Sequence, residues 1–194
     1  MKSLADSRPL LWLVLALPGI GILCRWTTAP AVYGFGHALG DSGDWAAWLL
    51  MLTLAVTPVR LLFRRRSWST WLLRRRRDFG LASFAYASGH TIVYLADKVS
   101  AEAILSDLAL PDILAGWLAF ALLVPLAATS SDIAVRALRR SWKRLHRLVY
   151  PAAILTFVHW ALASFDPTAA YVHLAVLAAI ELVRIGLQVR QRVT

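Results

Sequence analysis

The sequence predicts an all-α integral membrane protein, a single bundle of six transmembrane helices. Hydrophobic residues make up 59% of the chain and charged residues only 16%, against about 25% charged in an ordinary soluble domain. Several apolar runs approach the roughly 20 residues that span a bilayer, and the basic residues cluster between those runs. Because backbone groups inside a bilayer must find partners within the protein, these spans are expected to be helices.

The predicted helices are supported in chain order by their apolar runs and by the residues beside them. The first run resembles a signal-peptide core, but it is long for one, and we expect a retained helix. The second ends in Arg64–Arg66 and the third follows Arg74–Arg77. An acidic loop precedes the fourth, and a basic segment precedes the fifth. The six helices are expected near residues 10–26, 45–63, 79–95, 113–129, 145–165 and 169–187.

The distribution of charge predicts the orientation of the bundle. With both termini in the cytoplasm, all but two of the 21 Lys and Arg residues lie on the inner side, the exceptions being Arg25 and Lys98. This asymmetry is what the positive-inside rule describes. It also accounts for the net charge of +10, so no nucleic-acid partner is indicated.

Two histidines are predicted to lie at one depth. His90 is 13 residues beyond Arg77, and His159 is 15 residues beyond Arg144, which places them roughly 20 and 22 Å from the inner boundary. Two facing imidazoles at one depth can hold a haem iron from both sides. The alternative is that each histidine makes an interhelical hydrogen bond. The single Cys24 excludes a four-thiolate cluster and a Cys-x-x-Cys-His haem attachment.

The remaining histidines are less informative. His146 is expected at the inner end of the fifth helix, where it binds a second haem, binds another cofactor or sits at the membrane interface. An ideal helix does not place it on one face with His159, although Pro151 between them is able to kink the helix. His37 is expected in a loop and His173 near the outer interface.

Three segments resemble the ferric-reductase-like transmembrane family. They are Trp-Lys-Arg-Leu-His-Arg-Leu-Val-Tyr at 142–150 with His159, Thr-Leu-Ala-Val-Thr-Pro-Val-Arg at 53–60, and Arg-Arg-Asp-Phe-Gly-Leu at 76–81 with Phe84, Tyr86 and His90. The resemblance covers the second to the fifth predicted helix. Within that family, the segments are most similar to the haem-binding membrane subunits of periplasmic protein-methionine-sulfoxide reductase systems.

The resemblance implies a cytochrome of the bacterial inner membrane. It implies b-type haem held at the positions of His90, His146 and His159, a bound flavin mononucleotide (FMN), and electron delivery to a periplasmic molybdenum-containing methionine-sulfoxide reductase. The chain has no Gly-x-Gly-x-x-Gly fingerprint and ends at Thr194, so we expect the electrons to come from a membrane quinone or from a separate reductase. The resemblance favours the quinone, and it implies that the partner carries out the sulfoxide chemistry. A stand-alone haem quinol or ferric reductase is an alternative.

Two questions stay open at the level of sequence. Intramembrane histidines also serve as proton relays in small transporters, and a membrane adaptor without a cofactor would use them for packing. The clustered arginines at Arg74–Arg77, with Arg144 and Arg147, are suited to haem propionates or a flavin phosphate. Such clusters also anchor loops to the anionic inner leaflet.

Overall fold

The computed structural model describes residues 7–98 and 100–193, with side chains up to residue 189. Lys2, counted above among the inner charges, lies outside the described residues, and so do the side chains of Arg190 and Arg192. Every regular element in these ranges is helical, as predicted. The helices are α1 (Arg8–Thr28), α2 (Phe35–Leu62), α3 (Ser67–Asp97), α4 (Ala101–Asp107), α5 (Pro111–Ala128), α6 (Asp132–Leu138), α7 (Arg140–Leu145), a 3₁₀ turn (His146–Leu148), α8 (Val149–Ala163) and α9 (Thr168–Val193).

Local sequence signals explain several of the helix starts. Ser100 and Ser131 accept hydrogen bonds from the backbone amides of Ala103 and Ala134, and thereby cap α4 and α6. Helix α5 begins with Pro111, which lacks the amide hydrogen that the first turn leaves without a helical partner. These signals lie in the segments that join the long helices.

Three bounds differ from the sequence-based expectation. Helix α2 begins at Phe35, and therefore His37, expected in a loop, lies in its first turn. Helix α3 begins at Ser67, so that Arg74–Arg77 is helical. The fifth predicted helix is divided at residues 146–148 by the 3₁₀ turn, and Pro151 then falls in the first turn of α8, where proline is tolerated without a kink.

Four of the described helices are long and apolar enough to cross a membrane. They are Arg8–Thr28, Phe35–Leu62, Pro111–Ala128 and Thr168–Val189. Helix α3 is 31 residues long but carries four consecutive arginines, and α8 has only 15 residues. These last two helices carry His90 and His159.

The bundle packs around α2. Helix α2 lies against α3 and α9, and α5 lies against α8. The shared core contains buried side chains from α2, α5, α8 and α9: Leu50, Leu54, Leu123, Leu126, Phe157 and Leu177. The buried Ser83 hydroxyl of α3 donates to the Ala46 carbonyl of α2 at 2.8 Å. This packing fixes α3 and α8 on either side of one cavity.

Candidate functional site

The structure brings the rings of His90 of α3 and His159 of α8 together in a T-shaped arrangement. Their ring centroids lie 6.0 Å apart, and the ring planes are nearly perpendicular at 80°. An imidazole nitrogen bonds a transition metal at about 2 Å, so two axial imidazoles on one iron place their ring centroids roughly 6 Å apart. The observed separation therefore suits a metal held between the two rings.

Hydrogen bonds orient both imidazoles and set their tautomers. The Nδ1–H of His90 donates to the Leu39 carbonyl at 2.9 Å, and the Nδ1–H of His159 donates to the Asp112 carbonyl at 2.7 Å. Because a carbonyl oxygen only accepts, Nδ1 carries the proton in each ring and Nε2 of the neutral ring keeps its lone pair. Histidines that bind a metal through one ring nitrogen commonly donate the N–H of the other to an acceptor outside the metal site, here called the outer partner.

The pair lines a cavity of about 550 Å³, the histidine cavity. Most of its wall is apolar or aromatic, with contributions from Ala47, Ile113, Trp117, Phe120 and Leu123. Among the described residues that line it, none is Lys or Arg. A large, mostly apolar cavity lined by two imidazoles would suit a porphyrin, whose iron His90 and His159 would bind.

A second cavity, of about 640 Å³, lies towards the other end of the bundle. Its wall includes Arg8, Arg74–Arg77, Lys143 and Arg147, and we call it the arginine cavity. His146 also lines it, and no other described residue of its wall is a histidine. The structure therefore separates His146 from the pair formed by His90 and His159.

His146 is held by contacts of its own. Its ring stacks on Trp142 with centroids 3.9 Å apart. Its Nε2 lies 3.0 Å from the Thr129 hydroxyl, which donates its own proton to the Pro125 carbonyl at 2.6 Å. This contact holds Nε2 of His146 against Thr129.

Charged residues next to the arginine cavity are paired across helices. Arg76 donates from Nε to the Thr53 carbonyl at 3.0 Å and from Nη1 to the Thr57 hydroxyl at 3.2 Å. On α9, Arg184 pairs with Glu181 at 2.7 Å and donates to the hydroxyl of Tyr150, whose residue also lines the cavity. These contacts hold the side chains of Arg76 and Arg184 in place.

The two other histidines lie outside the pair. His173 on α9 packs against Trp160 and Trp48, with ring centroids 5.0 and 6.5 Å apart, and its Nδ1–H donates to the Ala169 carbonyl. His37 packs against Tyr33 with centroids 5.6 Å apart. Neither lines the histidine cavity or the arginine cavity.

Sequence reasoning missed the residues that support the histidines. The rings of His90 and His159 lie against Gly43 and Gly116, and Trp142 with Thr129 holds His146. A glycine within an apolar helix indicates a packing or functional role, because glycine is a poor helix former. The signal is weak, since it does not show which residue packs against the glycine. Which glycine meets which ring depends on the helix packing.

Comparison with known proteins places the chain. A sequence model of the ferric reductase like transmembrane component family matches residues 42–157, a range that includes His90 and His146 and ends just before His159. A protein named protein-methionine-sulfoxide reductase heme-binding subunit MsrQ, from Ralstonia nicotianae, is 35% identical over 197 residues, covering 97% of this chain and 87% of that protein. Proteins of the same name from Brucella ovis and Brucella canis are each 38% identical over 162 residues, covering 81% of this chain and 70% of theirs. No solved structure matches the chain. The matched range and the extent of these similarities show that this multi-pass membrane protein belongs to the ferric reductase like transmembrane component family.

Proposed function

We propose that the chain is the haem-binding electron-transfer subunit of a methionine-sulfoxide reductase system. The names of the relatives from Ralstonia and Brucella describe such a subunit. The observation that carries the proposal is the opposed pair His90 and His159, 6.0 Å apart between ring centroids in an apolar cavity. Both would hold a b-type haem through Nε2.

The protein contributes orientation and exclusion of water. The carbonyls of Leu39 and Asp112 hold each imidazole by its Nδ1–H, which fixes the ring and makes Nε2 a stronger base. The apolar wall keeps water from the cavity. When bound, the haem supplies a one-electron carrier whose potential depends on its axial ligands and its burial.

The arginine cavity is the proposed site of FMN. Its basic side chains suit a phosphate, and Trp142 and Tyr150 offer aromatic surface. Haem propionates are a poorer match for these arginines, because the arginines line a different cavity from the histidine pair. On this proposal His146 serves the flavin site and not a second haem. The electron donor is a membrane quinone.

The partner is a periplasmic, molybdenum-containing catalytic subunit. Reduction of one methionine sulfoxide consumes two electrons and two protons and releases one water molecule. A one-electron carrier must therefore deliver twice for each repaired methionine. This chain supplies the electrons, and the partner carries out the sulfoxide chemistry.

The proposed topology has six spanning segments, with both termini in the cytoplasm of a bacterium and the protein in its inner membrane. Helix α3 is long enough to cross after its four arginines, and α8 runs beside it at the depth of the paired histidines. Arg8 at the start of α1 lies with the arginines of α3 and Lys143 of α7 around one cavity. The basic residues thus collect at one end of the bundle, which the positive-inside rule assigns to the cytoplasm.

Labelling of single cysteines tests this topology. In a Cys24→Ser background, Asp107→Cys and Asp132→Cys place a single thiol at opposite ends of the bundle. A membrane-impermeant maleimide is expected to label position 107 in intact spheroplasts, and position 132 only after the membrane is opened. The reverse pattern would place the arginine cavity outside.

Absorption spectra test the haem. Protein purified in detergent from haem-replete cells is expected to give a six-coordinate b-type spectrum in oxidised and dithionite-reduced forms. His90→Ala and His159→Ala are expected to lose it. His146→Ala and His173→Ala are matched controls that retain it, because neither residue lines the histidine cavity. A colourless wild type would refute the proposal and return the histidines to packing or proton transfer.

Electron delivery is tested with the catalytic partner. The dithionite-reduced chain, freed of excess reductant, is expected to be reoxidised only when the partner and methionine sulfoxide are both present. Reoxidation by ferric citrate alone, with no response to the partner, would instead support the stand-alone ferric reductase.

A further inference from the structure

The same contact occurs twice in the histidine cavity. His90 of α3 donates its Nδ1–H to a carbonyl of α2, that of Leu39, and the edge of its ring lies on Gly43. His159 of α8 donates its Nδ1–H to a carbonyl of α5, that of Asp112, and the edge of its ring lies on Gly116. In each case the glycine comes four residues after the carbonyl.

The four-residue spacing has a simple cause. In an α-helix the carbonyl of residue i accepts a hydrogen bond from the amide of residue i+4. The Leu39 carbonyl therefore accepts from the Gly43 amide, and the Asp112 carbonyl accepts from the Gly116 amide. A carbonyl oxygen has two lone pairs and can accept a second hydrogen bond. The histidine supplies that second bond, and to reach it the ring must lie directly over residue i+4.

A side chain at either position would occupy the space of the ring. A Cβ on residue 43 would lie 3.0 Å from Nδ1 and 3.2 Å from Cε1 of His90. A Cβ on residue 116 would lie 3.0, 3.1 and 3.2 Å from Nδ1, Cε1 and Cγ of His159. Relaxed contacts between such atoms are about 3.5–4.0 Å, so each ring would have to move away by several tenths of an ångström.

We propose that Gly43 and Gly116 are positioning residues for the two haem ligands; this inference rests on the haem proposed above. Their lack of a side chain lets each imidazole reach the carbonyl one turn earlier, which fixes its tautomer and aims Nε2 at the iron. The close approach to a ring is specific to Gly43 and Gly116. A Cβ added at Gly89, next to His90 on α3, would have no neighbouring atom within 4 Å. Glycine is a poorer helix former than alanine, so a role in packing the ring explains its presence at both places.

Gly43→Ala and Gly116→Ala test this inference, with Gly89→Ala as the matched control. If a ring moves away, the hydrogen bond from its Nδ1–H to the carbonyl becomes longer and weaker. Nε2 then becomes a weaker base, and the imidazole binds the haem iron less tightly. Loss of such an outer partner lowers affinity for the bound metal roughly 10- to 100-fold. We therefore expect a lower haem-to-protein ratio, a more positive midpoint potential, and a changed low-spin electron paramagnetic resonance signal. Gly89→Ala is expected to match the wild type in all three.

A double variant covers the case in which a glycine variant does not accumulate. In the His90→Ala background the added methyl group has no ring to displace, so Gly43→Ala is expected to accumulate as well as His90→Ala alone. If the double variant also fails to accumulate, Gly43 is required for the packing of α2 itself and the inference is wrong.

The outcomes separate this inference from the proposed function. If both histidine variants lose the haem while both glycine variants keep the wild-type potential and resonance signal, the positioning role is refuted and the haem site stands. If the wild-type protein contains no haem, both the positioning role of the glycines and the proposed haem site are refuted. Changes in both glycine variants, with none in Gly89→Ala, support the inference.

Discussion

Helix α1 is tied to α3 by a buried carboxylate, and removing it should loosen this contact. The side chain of Asp78 is only 4% exposed. Its Oδ1 accepts from Arg8 Nη2 at 2.8 Å and Nε at 2.9 Å, and from Trp12 Nε1 at 3.2 Å. The substitution Asp78→Ala leaves these donors without their acceptor.

The expected loss follows from how well each donor can be rehydrated. Removing one partner of a buried ion pair costs about 3–5 kcal/mol. The Arg8 side chain is 57% exposed, so water recovers part of its hydrogen bonding, whereas the Arg75 side chain, whose Nη1 lies 3.9 Å from Oδ2 of Asp78, is only 16% exposed. The cost therefore stays within that range. We expect Asp78→Ala to lower the free energy of unfolding by about 3 kcal/mol. Asp78→Asn, which keeps an oxygen acceptor, should lose about half as much.

Asp132 provides a control, because its ion pair has a similar distance to that of Asp78 but its side chain is exposed. Its carboxylate pairs with Arg77 at 2.7 Å, but the two side chains are 72% and 38% exposed. Water and salt screen an exposed pair, which therefore contributes little to stability, so Asp132→Ala should have little effect. The free energy of unfolding of each variant is measured in mixed detergent micelles, with tryptophan fluorescence as the signal of unfolding. Equal losses for Asp78→Ala and Asp132→Ala would refute the argument that burial decides the strength of these pairs.

Three further outcomes are expected. The nearly perpendicular rings of His90 and His159 predict a low-spin ferric signal of large maximum g value in electron paramagnetic resonance; a signal typical of parallel imidazoles would contradict this arrangement. The ammonium of Lys98 holds the pKa of the Asp107 carboxyl below its usual value of 3.8, so the pair stabilises the fold above that pH and ceases to do so as the pH falls through the lowered pKa. The melting temperatures of wild type and Asp107→Asn should therefore differ at pH 6 and converge as the pH falls through the lowered pKa of Asp107. A difference that persists in stronger acid would show another cause. Ser83→Ala removes a buried hydrogen bond to α2 and should cost about 1 kcal/mol in the same micelle titration, an unchanged unfolding curve being the contrary result.

The sequence was a good guide to depth and a poor guide to lateral contacts. His90 and His159 were predicted at one level because the rise of a helix is regular, and their rings do meet. The 3₁₀ turn at the start of the fifth predicted helix was missed, since a sequence pattern does not distinguish one turn of 3₁₀ helix at the end of an α-helix from an α-helical turn. The start of α2 was placed too late because its first turns are rich in glycine and aspartate, which resemble a loop. Neither Gly43 nor Gly116 could be chosen among ten glycines, because their role depends on the ring of another helix.

The two cavities meet at apolar side chains, and this bears on the electron transfer proposed above. Leu123 lines both cavities, while Phe84 of the arginine cavity stacks on Phe120 of the histidine cavity with centroids 5.7 Å apart and planes within 12°. Leu123, Phe84 and Phe120 offer no hydrogen-bonding group, so they give a proton or an ion no polar partner for its passage. On the function proposed above, with a carrier in each cavity, electrons would pass at these side chains, whereas protons and ions would find no polar partner there.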